Sequence, residues 1–404
     1  MSNLPKGWKE TRLDEIVDIT SSKRIFYSEY VDFGIAFYRS KEIIEKQKGN
    51  SISTELFITK EKYNEIKNNF GVPVKDDLLL TSVGTLGIPY LVKENEIFYF
   101  KDGNLTWFRN YKGLEPEFLY FYILSPVGKK RLNEMTIGST QSALTISGLK
   151  KLKLELPPLD EQKQIANILS SFDKKIELLK EQNQTLETMA QTIFKEWFVD
   201  FNYPNATGEM IDSEMGEIPK GWKIFKLGEV ASLFAGGDKP DNTTDIKTDL
   251  NKIPVYSNGI RNEGLYGFTD IPKILKESVT ISARGTIGYV CLRTEPYVPI
   301  VRLISIIPIK QYMSNIYLYL WLKKEKISGY GSTQQQLTIP VFKERKIILP
   351  PYELMEVFSQ KIDSLYNKRK HNFEQIQTLE ETRDSLLPKL MSGKIRLKDF
   401  DESN

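Results

Sequence analysis

Leu4-Pro5-Lys6-Gly7-Trp8-Lys9 returns 214 residues later as Ile218-Pro219-Lys220-Gly221-Trp222-Lys223. The same offset relates Leu13-Asp14-Glu15-Ile16 to Leu227-Gly228-Glu229-Val230. Further on, Gly84-Thr85-Leu86-Gly87 matches Gly285-Thr286-Ile287-Gly288 at an offset of 201. Gly138-Ser139-Thr140-Gln141 with Leu144-Thr145-Ile146, then Leu156-Pro157-Pro158, recur at 193 as Gly331-Ser332-Thr333-Gln334 with Leu337-Thr338-Ile339 and Leu349-Pro350-Pro351. Separate matches in one order make the chain a tandem duplication whose second copy is shorter. Between the landmarks the copies diverge. Runs such as Asp77–Val83, Ile97–Phe100 and Ser278–Ser282 read as strands, and Leu119–Leu124 and Tyr317–Lys323 as short helices. Each copy is expected to be a mixed α/β unit.

After each Leu-Pro-Pro the pattern turns helical, with proline at the first turn and Asp160-Glu161 complementing the N-terminal dipole. One heptad series reads Ile165, Phe172, Leu179, Leu186, Ile193, and its neighbour Leu169, Ile176, Asn183, Ala190, Trp197. The second copy repeats it with Phe358, Leu365, Asn372, Leu379, Leu386 beside Ile362, Arg369, Ile376, Arg383. Each helix should run roughly 40 residues, or ~60 Å. A pseudo-two-fold relation between the copies makes the helices antiparallel. Asn183 then faces Asn372, a buried polar pair that fixes register, with Ile176 near Leu379, Ala190 near Leu365 and Trp197 near Phe358.

Composition narrows the function. The 404 residues hold 56 basic and 53 acidic side chains, so a nucleic-acid face must be a local concentration of charge. One cysteine, Cys291, excludes a disulfide framework, and one histidine, His371, excludes an HExxH metal site. No apolar run reaches the ~18–20 residues of a membrane helix, and a cytoplasmic protein without metal or membrane is expected. There is no phosphate-binding Gly-x4-Gly-Lys loop. Gly329-Tyr330-Gly331 lacks the third glycine of a dinucleotide loop. In Leu349-Pro350-Pro351-Tyr352 a leucine stands where amino-methyltransferase chemistry needs an amide or carboxylate.

The landmark order resembles the specificity (S) subunit of Type I restriction–modification systems. The resemblance rests on the paired Leu/Ile-Pro-Lys-Gly-Trp openings, on Gly-Ser-Thr-Gln…Leu-Thr-Ile, and on Leu156-Pro157-Pro158-Leu159-Asp160-Glu161-Gln162 entering the first helix. Met189–Phe201 leaves that helix, and Arg383–Ile395 closes the second, in the same family style. The implied fold is α+β, with two pseudo-symmetric mixed α/β target-recognition domains separated by two long antiparallel coiled-coil helices. The expected segments are a first recognition domain at 1–156, a spacer helix at 157–203 and a linker at 204–217. A second domain at 218–349, a second spacer helix at 350–395 and a tail at 396–404 follow.

The resemblance implies that each domain reads one half of a split site on double-stranded DNA and that the helices act as a ruler. They would also dock two modification (methyltransferase) subunits, joined by restriction subunits. S-adenosylmethionine would belong to the modification subunits, ATP and Mg2+ to the restriction subunits, and no cofactor or catalytic residue to this chain. The second helix departs from the pattern, opening on Leu-Pro-Pro-Tyr-Glu-Leu and carrying Arg369 and Arg383 in its seam.

DNA-contact candidates are loop residues able to meet bases or phosphates: Lys23, Arg24, Arg39, Ser40, Thr85 and Gln141 in the first copy, and Lys239, Asn258, Arg261, Arg284, Thr286 and Gln334 in the second. The plainer reading makes them solvated or backbone-capping groups. Gln141 and Gln334 recur and so suit a structural role. Trp8 and Trp222 recur as core anchors. Phe194, Trp197, Phe198 and Phe201, with Leu387 and Leu390, read either as a partner-binding patch or as packing against the second domain. Two rivals remain: a duplicated coiled-coil scaffold binding only protein, and the specificity part of a methyltransferase or nuclease whose catalysis lies on another chain.

Overall fold

The computed structural model describes residues 4–49, 52, 54–136, 142–325, 327 and 336–397. It divides into two compact units, one of residues 1–179 and 374–404, the other of 180–373. Each holds one copy of the repeat and a part of each long helix.

In unit 1, strand Lys9–Arg12 pairs antiparallel with Lys153–Leu156, Lys9 facing Leu156, which ties the opening motif to Leu-Pro-Pro. The main sheet is antiparallel, in the order Asp18–Thr20, Leu105–Arg109, Leu78–Thr81, Pro89–Leu91. Leu78-Leu79-Leu80-Thr81 is buried throughout because both faces of the sheet are covered. Alternation sends Leu78, Leu80 and Phe108 into the core with the long helices, and Leu79, Leu105 and Trp107 into a second core. There a small sheet contains the parallel pair Ile35–Tyr38 and Tyr99–Phe100.

Unit 2 repeats this plan. Lys223–Lys226 pairs with Lys346–Leu349, Lys223 facing Leu349. Its antiparallel sheet runs Ala231–Ala235, Leu303–Pro308, Ser278–Ser282, Val290–Arg293, and Ile253–Tyr256 lies parallel to Val298–Pro299. Helices Pro116–Leu124 and Asn315–Lys324 correspond. The extra length of the first copy includes helices Ser40–Gln47, Lys60–Phe70 and Pro126–Glu134.

The long helices are Leu159–Phe198 and Tyr352–Met391, 40 residues each. In unit 1 their segments run antiparallel: Ile176, Leu179, Ile376 and Leu379 form one cluster, and Arg383 donates to Asp173 at 2.5 Å. Arg396 grips the buried Glu161 at 2.7 Å. In unit 2, Asn372 Nδ2 donates to Asn183 Oδ1 at 2.9 Å, and the Trp197 and Phe358 rings lie 5.6 Å apart. Both seam arginines therefore have acidic partners within the chain, since Arg369 meets Glu187 at 3.5 Å and Glu263 at 3.3 Å.

The different helix starts solve one problem in two ways. Gln162 accepts the Glu115 N–H at 2.9 Å and donates to Pro157 O and Gly113 O. At the matching position Met355 Sδ accepts the Ser314 N–H at 3.1 Å. Each residue serves the backbone N–H just before helix Pro116–Leu124 or Asn315–Lys324. Among the described residues no helix is long and apolar enough to cross a membrane.

Candidate nucleic-acid interface

The matched glycine turns have one backbone design. Gly84 and Gly87 have φ of 79° and 73°, Gly285 and Gly288 of 76° and 82°, a left-handed region that glycine enters without a Cβ clash. Gly87 N–H donates to Thr81 O at 2.8 Å, and Gly288 N–H to Ser282 O at 3.0 Å. Leu144 N–H reaches Ser82 O at 2.9 Å, as Leu337 N–H reaches Ala283 O at 2.8 Å. Ser82 N–H donates to Asn104 O, and Ala283 N–H to Arg302 O, both at 2.8 Å. One scaffold therefore carries Val83 and Asn104 in unit 1 but Arg284 and Arg302 in unit 2, with a threonine, Thr85 or Thr286, at the shared position.

Around these turns several candidates gather. Asn258 Nδ2 donates to Arg284 O at 2.8 Å, and its own carbonyl accepts from Thr286 Oγ1 and from Ser282 Oγ at 3.4 Å. Asn258 thus braces the turn, and Arg284 and Thr286 stand half-buried on it. In unit 1 Ser40 Oγ donates to Asn104 O at 3.4 Å, and Thr85 is exposed on the turn. Arg261 is exposed beside two left-handed residues, Asn262 (φ 48°) and Glu263 (φ 53°). Lys239 is exposed 5.7 Å from the Tyr266 ring centroid.

The first-unit cations are less uniform. Arg24 pairs with Asp102 at 2.9 Å, and Lys23 lies 4.4 Å above the Phe70 ring. Arg39 is not a free base-reader. Its Nη2 meets the fully buried Glu42 at 2.7 Å, and its backbone N–H donates to the same carboxylate at 2.8 Å. Burial acts to raise the Glu42 pKa, but the hydrogen bonds from Arg39 outweigh it and leave the carboxyl below its ordinary value. Gln141 and Gln334, with the Gly-Ser-Thr-Gln turns, lie outside the described residues.

The apolar patch expected at the helix ends is core. Phe194, Trp197 and Phe198 are buried with Trp222, Tyr317 and Phe358, and Phe201 packs partly buried against that cluster. Trp197 and Phe198 have Phe358 ring neighbours at 5.6 and 4.7 Å. Leu387 and Leu390 are buried in the unit 1 core. None of the five buried side chains offers a docking surface, because the domain core already covers it. Trp8 and Trp222 are buried at 7% and 3% exposure. Cys291 is buried, its thiol pKa pushed up by that burial, and His371 is exposed on the second helix.

Residues that the sequence did not single out include Arg109, Glu263, Arg293 and Arg302. Strand alternation places Trp107 and Arg109 on one face, which was the available signal for the first of them. Arg293 closes strand Val290–Arg293 and is buried, and Glu263 and Arg302 depend on loop geometry.

A family model described as the Type I restriction modification DNA specificity domain matches residues 5–188 and 219–381. The chain is 27% identical over 436 residues to the Type I restriction enzyme MjaIX specificity subunit of Methanocaldococcus jannaschii, covering 99% of this chain and 96% of that one. It is 24% identical over 467 residues to the HindI specificity subunit of Haemophilus influenzae, covering 96% and 99%. The crystal structure of the Type I restriction–modification S subunit from M. genitalium has the same fold, with a TM-score of 0.59 at 18% identity, covering 96% of this chain and 97% of that one. With its two copies of the domain, the chain belongs to the Type I restriction–modification specificity-subunit family.

Proposed function

We propose that each unit reads one half of a split, asymmetric sequence on double-stranded DNA, and that this chain performs no catalytic step itself. The observation that carries this reading is one turn scaffold bearing different side chains. Val83 and Asn104 would meet different base edges from Arg284 and Arg302, because donor and acceptor patterns in the major groove distinguish base pairs, while the shared Thr85 and Thr286 carry no difference between the halves. Joining two modest contacts in one chain makes the second intramolecular and raises its effective concentration. Two modification subunits would supply S-adenosylmethionine and the methyl transfer. Restriction subunits would bring ATP and Mg2+ chemistry. The long helices would serve as the spacer and as part of the docking surface.

Methyl transfer from labelled S-adenosylmethionine to host DNA tests the division of labour. The purified chain should give none, and the chain with modification subunits should give sequence-specific incorporation. Activity of the chain alone would overturn the reading. Affinity for DNA that does not depend on sequence or salt would favour a protein-only scaffold.

A further inference from the structure

Strand Leu105–Arg109 sends Trp107 and Arg109 to the same face of the unit 1 sheet. The Arg109 guanidinium lies 4.3 Å from the Trp107 ring centroid, and its Nη1 donates to Phe70 O at 3.1 Å. Phe70 in turn carries the Lys23 ammonium 4.4 Å above its ring. The Lys23 backbone N–H donates to the Tyr99 hydroxyl at 2.7 Å, which anchors the loop. These side chains, with Asn68, border a half-open cleft of about 400 Å³. Gly71 (φ 81°) closes it, and a Cβ there would meet Arg109 Nη1 at 3.0 Å.

The cleft is electrostatically one-sided. Neither Lys23 nor Arg109 makes an ion pair among the described residues, and no carboxylate lines it. The nearby acids have other partners: Asp77 accepts from the Trp107 indole at 2.8 Å, Asp102 from Arg24, and Asp18 from Asn110 at 2.8 Å. Arg109 Nε is buried without a hydrogen-bond partner, an unmet donor on the guanidinium that lines the cleft. Both cations are pre-ordered on aromatic faces, which lowers the entropy lost on binding.

We propose that this cleft holds a backbone phosphate of double-stranded DNA beside the first half-site, a site that rests on unit 1 engaging DNA. Trp107 is 3% exposed and offers little face for stacking a base, and on the 46% exposed Phe70 the Lys23 ammonium already lies 4.4 Å from the ring centroid. An ammonium and an arginine fork suit the oxygens of a tetrahedral anion. The second copy lacks the device. The strand register that pairs Thr20 with Trp107 and Asp18 with Arg109 pairs Phe234 with Ser305 and Ser232 with Ile307. This phosphate contact therefore has no counterpart at the matching strand positions of the second copy.

The test uses the complex with modification subunits and labelled duplexes, one carrying its mapped methylation motif and one scrambled. Lys23→Gln alters only an exposed side chain, and Lys23→Gln/Arg109→Gln empties the cleft of charge. Affinity of the double variant should fall roughly tenfold on both duplexes, with the log–log salt slope reduced by about 1 and the methylated motif unchanged. Lys23→Gln should shift both readouts the same way, less strongly. Unchanged affinity and slope in both variants would overturn the proposal. So would relaxed preference at one base position with the slope intact, which marks a base reader. Failure of the unaltered complex to bind either duplex would overturn the DNA reading and this site together.

Discussion

Asn183 and Asn372 face each other in the seam at 6% and 0% exposure, joined by one hydrogen bond of 2.9 Å. Asn183 Nδ2 and Asn372 Oδ1 have no partner, so the pair favours one alignment at the expense of stability. Asn183→Leu alone should lower stability by about 1–3 kcal/mol by stranding the second amide. Asn183→Leu/Asn372→Leu should be more stable than either single variant, and a denaturation double-mutant cycle without coupling would contradict this. Glu42 sets an acid limit on unit 1. Its folded pKa lies below its ordinary 4.5, so its contribution is present above that value and is lost as pH falls through the lower folded one. Glu42→Gln should destabilise at neutral pH and flatten the acid limb of a melting-temperature profile. An unchanged profile would refute the assignment. At this scale the heptad places the two asparagines at facing positions without any structure. The pairing of Trp197 with Phe358 was legible from the helix register, but for Phe194 and Phe198 hydrophobicity left packing against the second domain and a partner-binding patch both open.

Loop Arg261–Gly264 shows how an element is held in a costly shape. Asn262, Glu263 and Gly264 are consecutive left-handed residues (φ 48°, 53° and 84°), and a Cβ at Gly264 would lie 2.4 Å from Ser257 O. Glu263 compensates by accepting Arg293 Nη2 on its carbonyl at 2.6 Å and meeting Arg369 with its carboxylate at 3.3 Å. Arg369 also reaches Glu187, whose Oε1 accepts from Tyr319 at 2.9 Å. Glu263→Ala should release the loop that carries Arg261. The expected outcome in target-site selection is relaxed preference in the second half of the motif only, and a motif unchanged in both halves would contradict it. The long helices were legible because their heptad periodicity is long, and strands Leu78–Thr81 and Ser278–Ser282 because apolar and β-branched residues stand between turn formers. Strands Leu105–Arg109 and Leu303–Pro308 were not singled out. Nor was helix Lys60–Phe70. It buries only Tyr63 and Ile66, too thin an apolar stripe to stand out.

For the whole chain, the duplication was readable because glycine and proline positions are dictated by backbone geometry, which both copies share. The recognised sequence was not readable, since it depends on side chains at the tips of divergent loops. The proposed spacer role carries its own prediction. Removing one heptad from each long helix shortens the pair by ~10 Å, about three base pairs of duplex at ~3.4 Å each. The two halves of the methylated motif should persist with a shorter gap, or methylation should be lost altogether. A motif with an unchanged gap would refute the spacer role. The central claim, that this chain alone chooses the DNA sequence, is tested most directly by mapping methylated adenine across the host genome with and without its gene while the modification subunits are expressed. Loss of a single split, asymmetric motif is the predicted result. An identical methylation pattern with the chain present and absent would contradict it.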